Sequence, residues 1–387
     1  MKILYLKLTG GYREDYTYQE NILPEKMKQL GNEVHLFIST RSKNDDGSRI
    51  FIKNREYVNS FGIRIKTIPF KKNKKGLYEK LGVFDNLYRY IESVGPDFIF
   101  VHGFQFLSVL TLLRYKKKNR DVTIVADNHL DHIIAPLDTI KRKLLQKVLF
   151  RYIAKKLSRV VDFFYGASPL RADYLVKMYK INPAKIKILN QGGDEEIIQS
   201  FTHKTERARL CEQLRLDDKK IIVSFGAGNI DDKKRLFPLL ASISKNENFE
   251  LVLFGSFNKT TYLKCKSLLN NRRIHFLGNI KNESIYKIFI ASDIAVFPGN
   301  HSVLWDQAAS CGTPIMVNRV RGMDYFDYGG NCIYLTDGST EEINNKLDNL
   351  CFEKLNKMRI IAETAQKKFW YINIAKKILL TNHIEEQ

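Results

Sequence analysis

Apolar residues in the first half of the chain fall in short runs separated by longer stretches of helical spacing. The runs at 2–8, 33–39, 63–69, 98–102, 122–126, 159–165 and 186–189 are rich in Ile, Val, Leu and Phe and predict strands. Helices are predicted at 18–30, ended by Gly31, at 77–94, ended by Gly95-Pro96, and from 102 to about 115. The second half repeats the alternation. Strands are predicted at 221–225, 249–254, 274–277, 294–297 and 314–317, with a helix at 236–244 and another starting near Ser302. Strands alternating with helices predict a parallel sheet wound on both faces. The chain is therefore expected to be α/β, with two doubly wound, Rossmann-like domains whose boundary lies between Gly193 and Asp218. Loops at the carboxyl ends of the strands in two such domains are expected to line a cleft.

A length of 387 residues fits two domains of roughly 150–200 residues. No apolar run approaches the roughly 20 residues that span a bilayer, and the Lys-interrupted start, Met1 to Lys7, reads as a strand and not as a signal peptide. The cysteines, at 211, 265, 311, 332 and 351, are odd in number and form no Cys-x-x-Cys. That suits reduced thiols in the cytoplasm better than a disulfide framework or a zinc site. Charge changes the picture more. Residues 1–200 carry 36 Lys and Arg against 21 Asp and Glu, while the remainder carries 27 against 21. A basic first half predicts an anionic partner: a phosphate-bearing substrate, an anionic membrane surface or nucleic acid.

The most telling segment is Phe297-Pro298-Gly299-Asn300-His301-Ser302-Val303-Leu304-Trp305-Asp306-Gln307-Ala308-Ala309-Ser310-Cys311-Gly312-Thr313-Pro314. A strand meets a small-residue turn, then a helix whose first N–H groups, at Ser302, Val303 and Leu304, lack intrahelical partners. Free donors and the helix dipole make such a start an anion site. The segment resembles the donor site of family 4 glycosyltransferases with the GT-B fold. Asn190-Gln191-Gly192-Gly193-Asp194, the stretch from Ser224 to Lys234, and Ala291-Ser292-Asp293-Ile294-Ala295-Val296-Phe297-Pro298 resemble further motifs of that family in the right order. The segment Asp15 to Asn21 and the Trp305-Asp306-Gln307 variant resemble a bacterial branch that builds surface polysaccharide.

The resemblance implies a retaining, metal-independent transfer from a nucleotide sugar to a saccharide or lipid-linked acceptor, with no cofactor. It implies an acceptor-side domain at 1–200, a donor domain at 201–365 and a terminal helix at 366–387 that returns to the first domain. Donor binding falls to Gly226, Gly228, Asn229, Lys234, Ile280, Asn300, His301, Ser302, Val303, Leu304 and Gln307. The acceptor side holds Gly10, Gly11, Tyr18 and Gln19. Glycines after a strand let backbone N–H groups approach a phosphate closely, and Lys234 offsets its charge. Two departures stand out. Asn229 sits where the family has Arg, leaving Lys233 or Arg235 to compensate. Gly299 and Gln307 sit where the family has two Glu residues.

Asp127-Asn128-His129-Leu130-Asp131-His132 follows a strand and is expected at its carboxyl end. The resemblance makes His129 the residue that bonds the transferred sugar, with His132 its rival. Asp131 and His132 lack further ligands at metal-binding spacing, and no Gly-x-Ser-x-Gly supports a hydrolase. Catalysis is expected from His129 and Lys234. Residues 140–159 hold eight basic residues and no acidic one, with Leu144, Leu145, Val148, Leu149, Tyr152 and Ile153 at helical spacing. That face is expected to pack in its own domain and the basic face to meet anionic lipid, helped by the Lys71-Lys72-Asn73-Lys74-Lys75 and Lys116-to-Arg120 runs. No nucleic-acid recognition module is visible. Two other readings share the fold: a non-catalytic partner subunit, and a sugar-nucleotide epimerase with acid and base carboxylates.

Overall fold

The computed structural model describes residues 1–14, 16–44, 49–72, 76–280 and 283–380. The chain divides into two compact units: residues 1–190 with the stretch from Ala375 onward, and Gln191–Ile374.

The strands of the first unit are β1 (Lys2–Lys7), β2 (Glu33–Ser39), β3 (Arg41–Lys43), β4 (Arg49–Phe51), β5 (Glu56–Val58), β6 (Arg64–Ile68), β7 (Phe98–Val101), β8 (Thr123–Asn128), β9 (Phe163–Gly166) and β10 (Ile186–Ile188). Eight of them form one sheet in the order β10-β9-β8-β7-β1-β2-β6-β5, parallel except for β5 against β6, while β3 and β4 form a small antiparallel pair. The central strands are buried on both faces, as their near-continuous apolar sequences require.

The second unit has one parallel sheet, in the order β13-β12-β11-β14-β15-β16. Its strands are β11 (Ile221–Ile230), β12 (Phe249–Phe257), β13 (Ile274–Phe276), β14 (Ile294–Phe297), β15 (Ile315–Asn318) and β16 (Cys332–Leu335). Alternate residues serve opposite faces. Ile294 and Val296 join one core with Val223, Phe225 and Met316, whereas Ala295 and Phe297 join another with Ile222, Trp305 and Val317.

Several expected elements differ; the helix expected from 102 begins only at Leu107, and the strand expected at 249–254 runs on to Phe257. The helix expected at 77–94 is two helices, Leu77–Leu81 and Leu87–Val94. Gly82 ends the first in the left-handed region, at φ +65°, and Phe84 then bridges to Phe70. The strand expected at 159–165 begins only at Phe163, after a turn in which Val160 and Val161 bond back to Leu157. The strand expected at 221–225 continues to Ile230. Among the described residues no helix is long and apolar enough to cross a membrane. Asp15 and residues 73–75 of the Lys71 run lie outside the described residues.

Candidate functional site

Parallel register builds the polar cluster of the first unit. Leu6 of β1 pairs with Val101 of β7, and Val101 pairs with Ala126 of β8. The next residues, Lys7, His102 and Asp127, therefore lie side by side at the carboxyl ends of three adjacent strands. The helix Gln19–Gln29 adds its first two residues. Lys7 pairs with Glu20 at 3.0 Å, and Glu20 faces His102 Nε2 at 3.7 Å. Asp127 Oδ2 accepts from His129 Nε2 at 3.0 Å and Gln19 Nε2 at 3.1 Å, and lies 3.1 Å from His102 Nδ1. Its Oδ1 accepts from the backbone N–H of Gly103 at 2.7 Å. The Tyr5 hydroxyl stands 3.0 Å from His102 Nδ1.

This arrangement sets the charges. Burial alone would raise the Asp127 carboxyl, but His102 and His129 outweigh it and hold it well below the usual range. Burial opposes the Glu20 charge in the same way, and Lys7 and His102 pull its pKa down to about 2. Burial lowers the His129 pKa, with Asp127 opposing. A neutral His129 beside an ionised carboxylate carries its proton on Nε2, which leaves Nδ1 as an acceptor. Its side chain is one-quarter exposed.

His132 lies outside this cluster, exposed and edge-on to Tyr174. Asp131 is structural: its Oδ1 accepts from the N–H groups of Ile133 and Ile134. One group among the described residues has metal-ligand spacing: atoms of His102, Asp127 and His129 lie within 4.8 Å of one another. Those atoms already bond to each other, to Gln19 and to Tyr5, and the cluster closes as a hydrogen-bond network. Sequence spacing missed Lys7, Glu20 and His102; a polar residue ending an apolar strand run was the available signal for Lys7 and His102, and Glu20, on the helix, carried none. Of the acceptor-side residues, Gln19 joins the cluster and its Oε1 is buried without a partner among the described residues. Gly10 lies close to Lys7 Nζ, Gly11 is half-buried, and Tyr18 precedes the helix with its ring stacked on that of Tyr16.

In the second unit the structure corrects the setting of several residues expected to hold an anion. Gly226, Gly228 and Asn229 belong to β11 and not to a turn after it. Gly226 is a packing glycine, since a Cβ there would stand 2.2 Å from the Phe254 ring. Gly228 sits where the register with β12 shifts, and a Cβ there would meet no atom within 4 Å. Asn229 is exposed, as are Lys233 and Arg235. The one-turn helix Asp232–Lys234, capped by Asp231, follows. Lys234 donates from Nζ to the carbonyl of Asn300 at 3.2 Å. Burial pulls the Lys234 pKa below its ordinary value, with Asp231 opposing.

Gly299 lies directly under this turn. A Cβ there would be 2.2 Å from the Lys233 carbonyl oxygen, and Asn300 N–H donates to that same oxygen at 2.9 Å. The helix Val303–Ser310 starts after Ser302, whose side chain makes no cap bond. In its first turn the buried Asp306 accepts from Tyr325 at 2.6 Å and stands 3.2 Å from His301 Nε2. Val303 is half-buried, Leu304 is packed in the core, and Gln307 is buried. Gly312 ends the helix at φ +68°, and Thr313 bonds the carbonyl of Phe289 at 2.7 Å. Ile280 lines a separate groove of about 490 Å³ with Leu277, Leu210 and Lys287.

Two other motif segments are structural. Asp293 accepts from Ile222 N–H at 2.7 Å and pairs with Arg207 at 3.3 Å. Gly192 and Gly193 pack on the Phe369–Tyr371 backbone, where a Cβ on Gly192 would meet the Phe369 carbonyl at 1.8 Å.

Two family models match this chain. Residues 23–196 match the model described as Glycosyltransferase Family 4, and residues 206–368 match Glycosyl transferases group 1. The chain belongs to family 4 of the glycosyltransferases. This glycosyltransferase is 25% identical over 174 residues to an uncharacterized glycosyltransferase of Methanocaldococcus jannaschii, across 42% of this chain and 44% of the relative. The match thus spans less than half of that relative. Its fold is similar to sucrose-phosphate synthase from Thermosynechococcus elongatus, with TM-score 0.71, 15% identity, and 100% and 99% of the two chains covered. It is also similar to Anabaena HepE in complex with UDP, with TM-score 0.69, 17% identity, and 98% and 99% covered. The fold is GT-B, with two parallel-sheet units. In this family 4 glycosyltransferase the backbone itself accounts for one departure: no side chain fits at position 299 beside the Lys233 carbonyl.

Proposed function

We propose that the second unit holds a nucleotide-activated sugar by its diphosphate, and that the chain transfers the sugar, with retention, to a saccharide or lipid-linked acceptor in assembly of a cell-surface glycan. The observation that carries this reading is Lys234, a half-buried cation turned to the Asn300 carbonyl just before an uncapped helix start. Lys234 and the N–H groups of Ser302, Val303 and Leu304 stabilise the departing diphosphate, in the place of a metal. The bond from the anomeric carbon to the diphosphate oxygen breaks. The acceptor hydroxyl oxygen bonds that carbon on the same face, and its proton goes to the departing diphosphate. His129 orients the sugar through Nδ1, as a hydrogen-bond acceptor. UDP, the ligand of the HepE structure, is the first nucleotide to try.

Two measurements test this. A nucleoside diphosphate at 100 times its Kd should stabilise the folded protein by about 2.7 kcal/mol. The change His129→Ala should preserve the fold, because Asp127 keeps Gln19, His102 and Gly103 around it, and should cut turnover by about 10²-fold. Activity should survive a chelator. Full turnover in His129→Ala, or loss in chelator that manganese restores, contradicts the assignment. The sealed position 299 favours one second reading, a nucleotide-binding partner subunit without turnover. Stabilisation by nucleotide sugar with no transfer to any acceptor would select it.

A further inference from the structure

Residues 140–157 form one continuous helical stretch in three runs: Ile140–Leu144, a wider π-helical run Leu145–Phe150, and Arg151–Leu157. Their apolar residues do not all pack inward as expected. Ile153, Ala154 and Leu157 are buried, and Gln146 is anchored by the Tyr179 hydroxyl at 2.6 Å. Arg151 also turns inward, to the carbonyl of Met178. A second row stays outside: Ile140, Leu144, Val148 and Tyr152 are 77%, 58%, 60% and 51% exposed. They recur every fourth residue, the spacing that lines one side of a helix. Lys141, Arg142, Lys143, Lys147 and Lys155 are exposed around them. No Asp or Glu occurs from 139 to 161, and Asp138, just before the stretch, is paired with Arg142.

An apolar row costs free energy in water, and its cations repel one another. An anionic lipid surface relieves both: lysine and arginine meet headgroup phosphates, and the apolar side chains reach the acyl boundary. A nucleic acid supplies the charge and no place for Ile140, Leu144 and Val148, whereas single-strand binders offer stacking platforms. We infer that this helix docks the first unit on an anionic bilayer surface, with Leu144 and Val148 entering the interface. The inference does not depend on the donor-site reading, although a lipid-linked acceptor would lie on that same surface.

The full-length protein should co-sediment with vesicles of equal phosphatidylcholine and phosphatidylglycerol, and not with phosphatidylcholine alone. Changing Leu144→Ser and Val148→Ser together should lower partitioning by about tenfold or more at physiological salt. Changing Lys141, Arg142, Lys143 and Lys147 to Gln should lower it by about a hundredfold or more, and added salt should weaken the wild type. Thermal unfolding and nucleoside diphosphate binding should stay unchanged in both variants, because every altered side chain is exposed. Four results would overturn the inference: no pelleting, equal pelleting with neutral vesicles, undiminished binding after the two Ser changes, or capture only by DNA or an acidic polypeptide.

Discussion

Lys7, Glu20, His102, Asp127 and His129 in the first unit satisfy one another, whereas Lys234 in the second has one carbonyl as its hydrogen-bond partner among the described residues. Both sites are polar, partly buried and set on strand ends or the turn that follows. In the first, two carboxylates, an ammonium and two imidazoles hold fixed geometry before any ligand arrives. In the second, a half-buried cation stands beside a helix start that no side chain caps. The first plan stabilises the fold and fixes His129. In the proposed function, the second leaves electrostatic demand for an anion to meet.

The sharpest way to break the comparison is Asp127→Ala. It strands Gln19, His102, His129 and the Gly103 N–H around a buried gap, and should cost the first unit about 3–5 kcal/mol in urea unfolding. A cost below about 1 kcal/mol would mean that the network is not closed. Acid titration adds a sign. Glu20, lowered from 4.5 to about 2, and Asp127, lowered further, contribute stability that is full above the ordinary carboxylate range and is lost as pH falls through their folded pKa values. His129, lowered from 6.5, adds a loss that begins below that value, because the unfolded chain then binds the extra proton. Wild-type stability should fall with acidification, and Asp127→Ala should flatten the part of that slope below the ordinary carboxylate range, where Asp127 itself contributes.

Lys234→Ala should do the reverse. Deleting a desolvated ammonium should leave stability unchanged or slightly raised, yet weaken nucleoside diphosphate binding by about 1.5–3 kcal/mol, the range of a charge-assisted contact. Calorimetry giving equal affinity for the variant would remove Lys234 from the diphosphate site.

These contrasts track what sequence could and could not reveal. The strand β14, the helix Val303–Ser310 and the Gly312 stop were legible because apolar alternation, small residues and glycine act locally. The His129 cluster was legible only in part. Its members, at 7, 20, 102, 127 and 129, meet through the order β8-β7-β1, and strand order is a property of the whole sheet. Gly226 and Gly228 read as a turn, but the Phe254 ring needs Gly226 bare and a register shift absorbs Gly228, so the strand runs on. The 77–94 pattern hid a break that Gly82 signals by itself. At 140–157 the spacing gave the apolar residues correctly. Which row would be covered depended on Tyr179 and other neighbours that spacing does not encode.

Gly299 and Gly228 separate packing from binding most finely. A side chain at 299 must displace the backbone of Lys233 and Lys234, so Gly299→Ala should destabilise the second unit by about 1–3 kcal/mol and weaken diphosphate binding through the moved lysine. Position 228 is open, on the bulge where β11 slips against β12. There Gly228→Val should change stability by no more than about 0.5 kcal/mol, the usual range for a surface position. If a diphosphate approaches the Gly228 backbone, the valine should still weaken its binding several-fold. Unfolding and calorimetry on the same samples read both quantities. A destabilised Gly228→Val would show that the bulge is packed, and unchanged affinity would remove Gly228 from the anion site while leaving Lys234 in it.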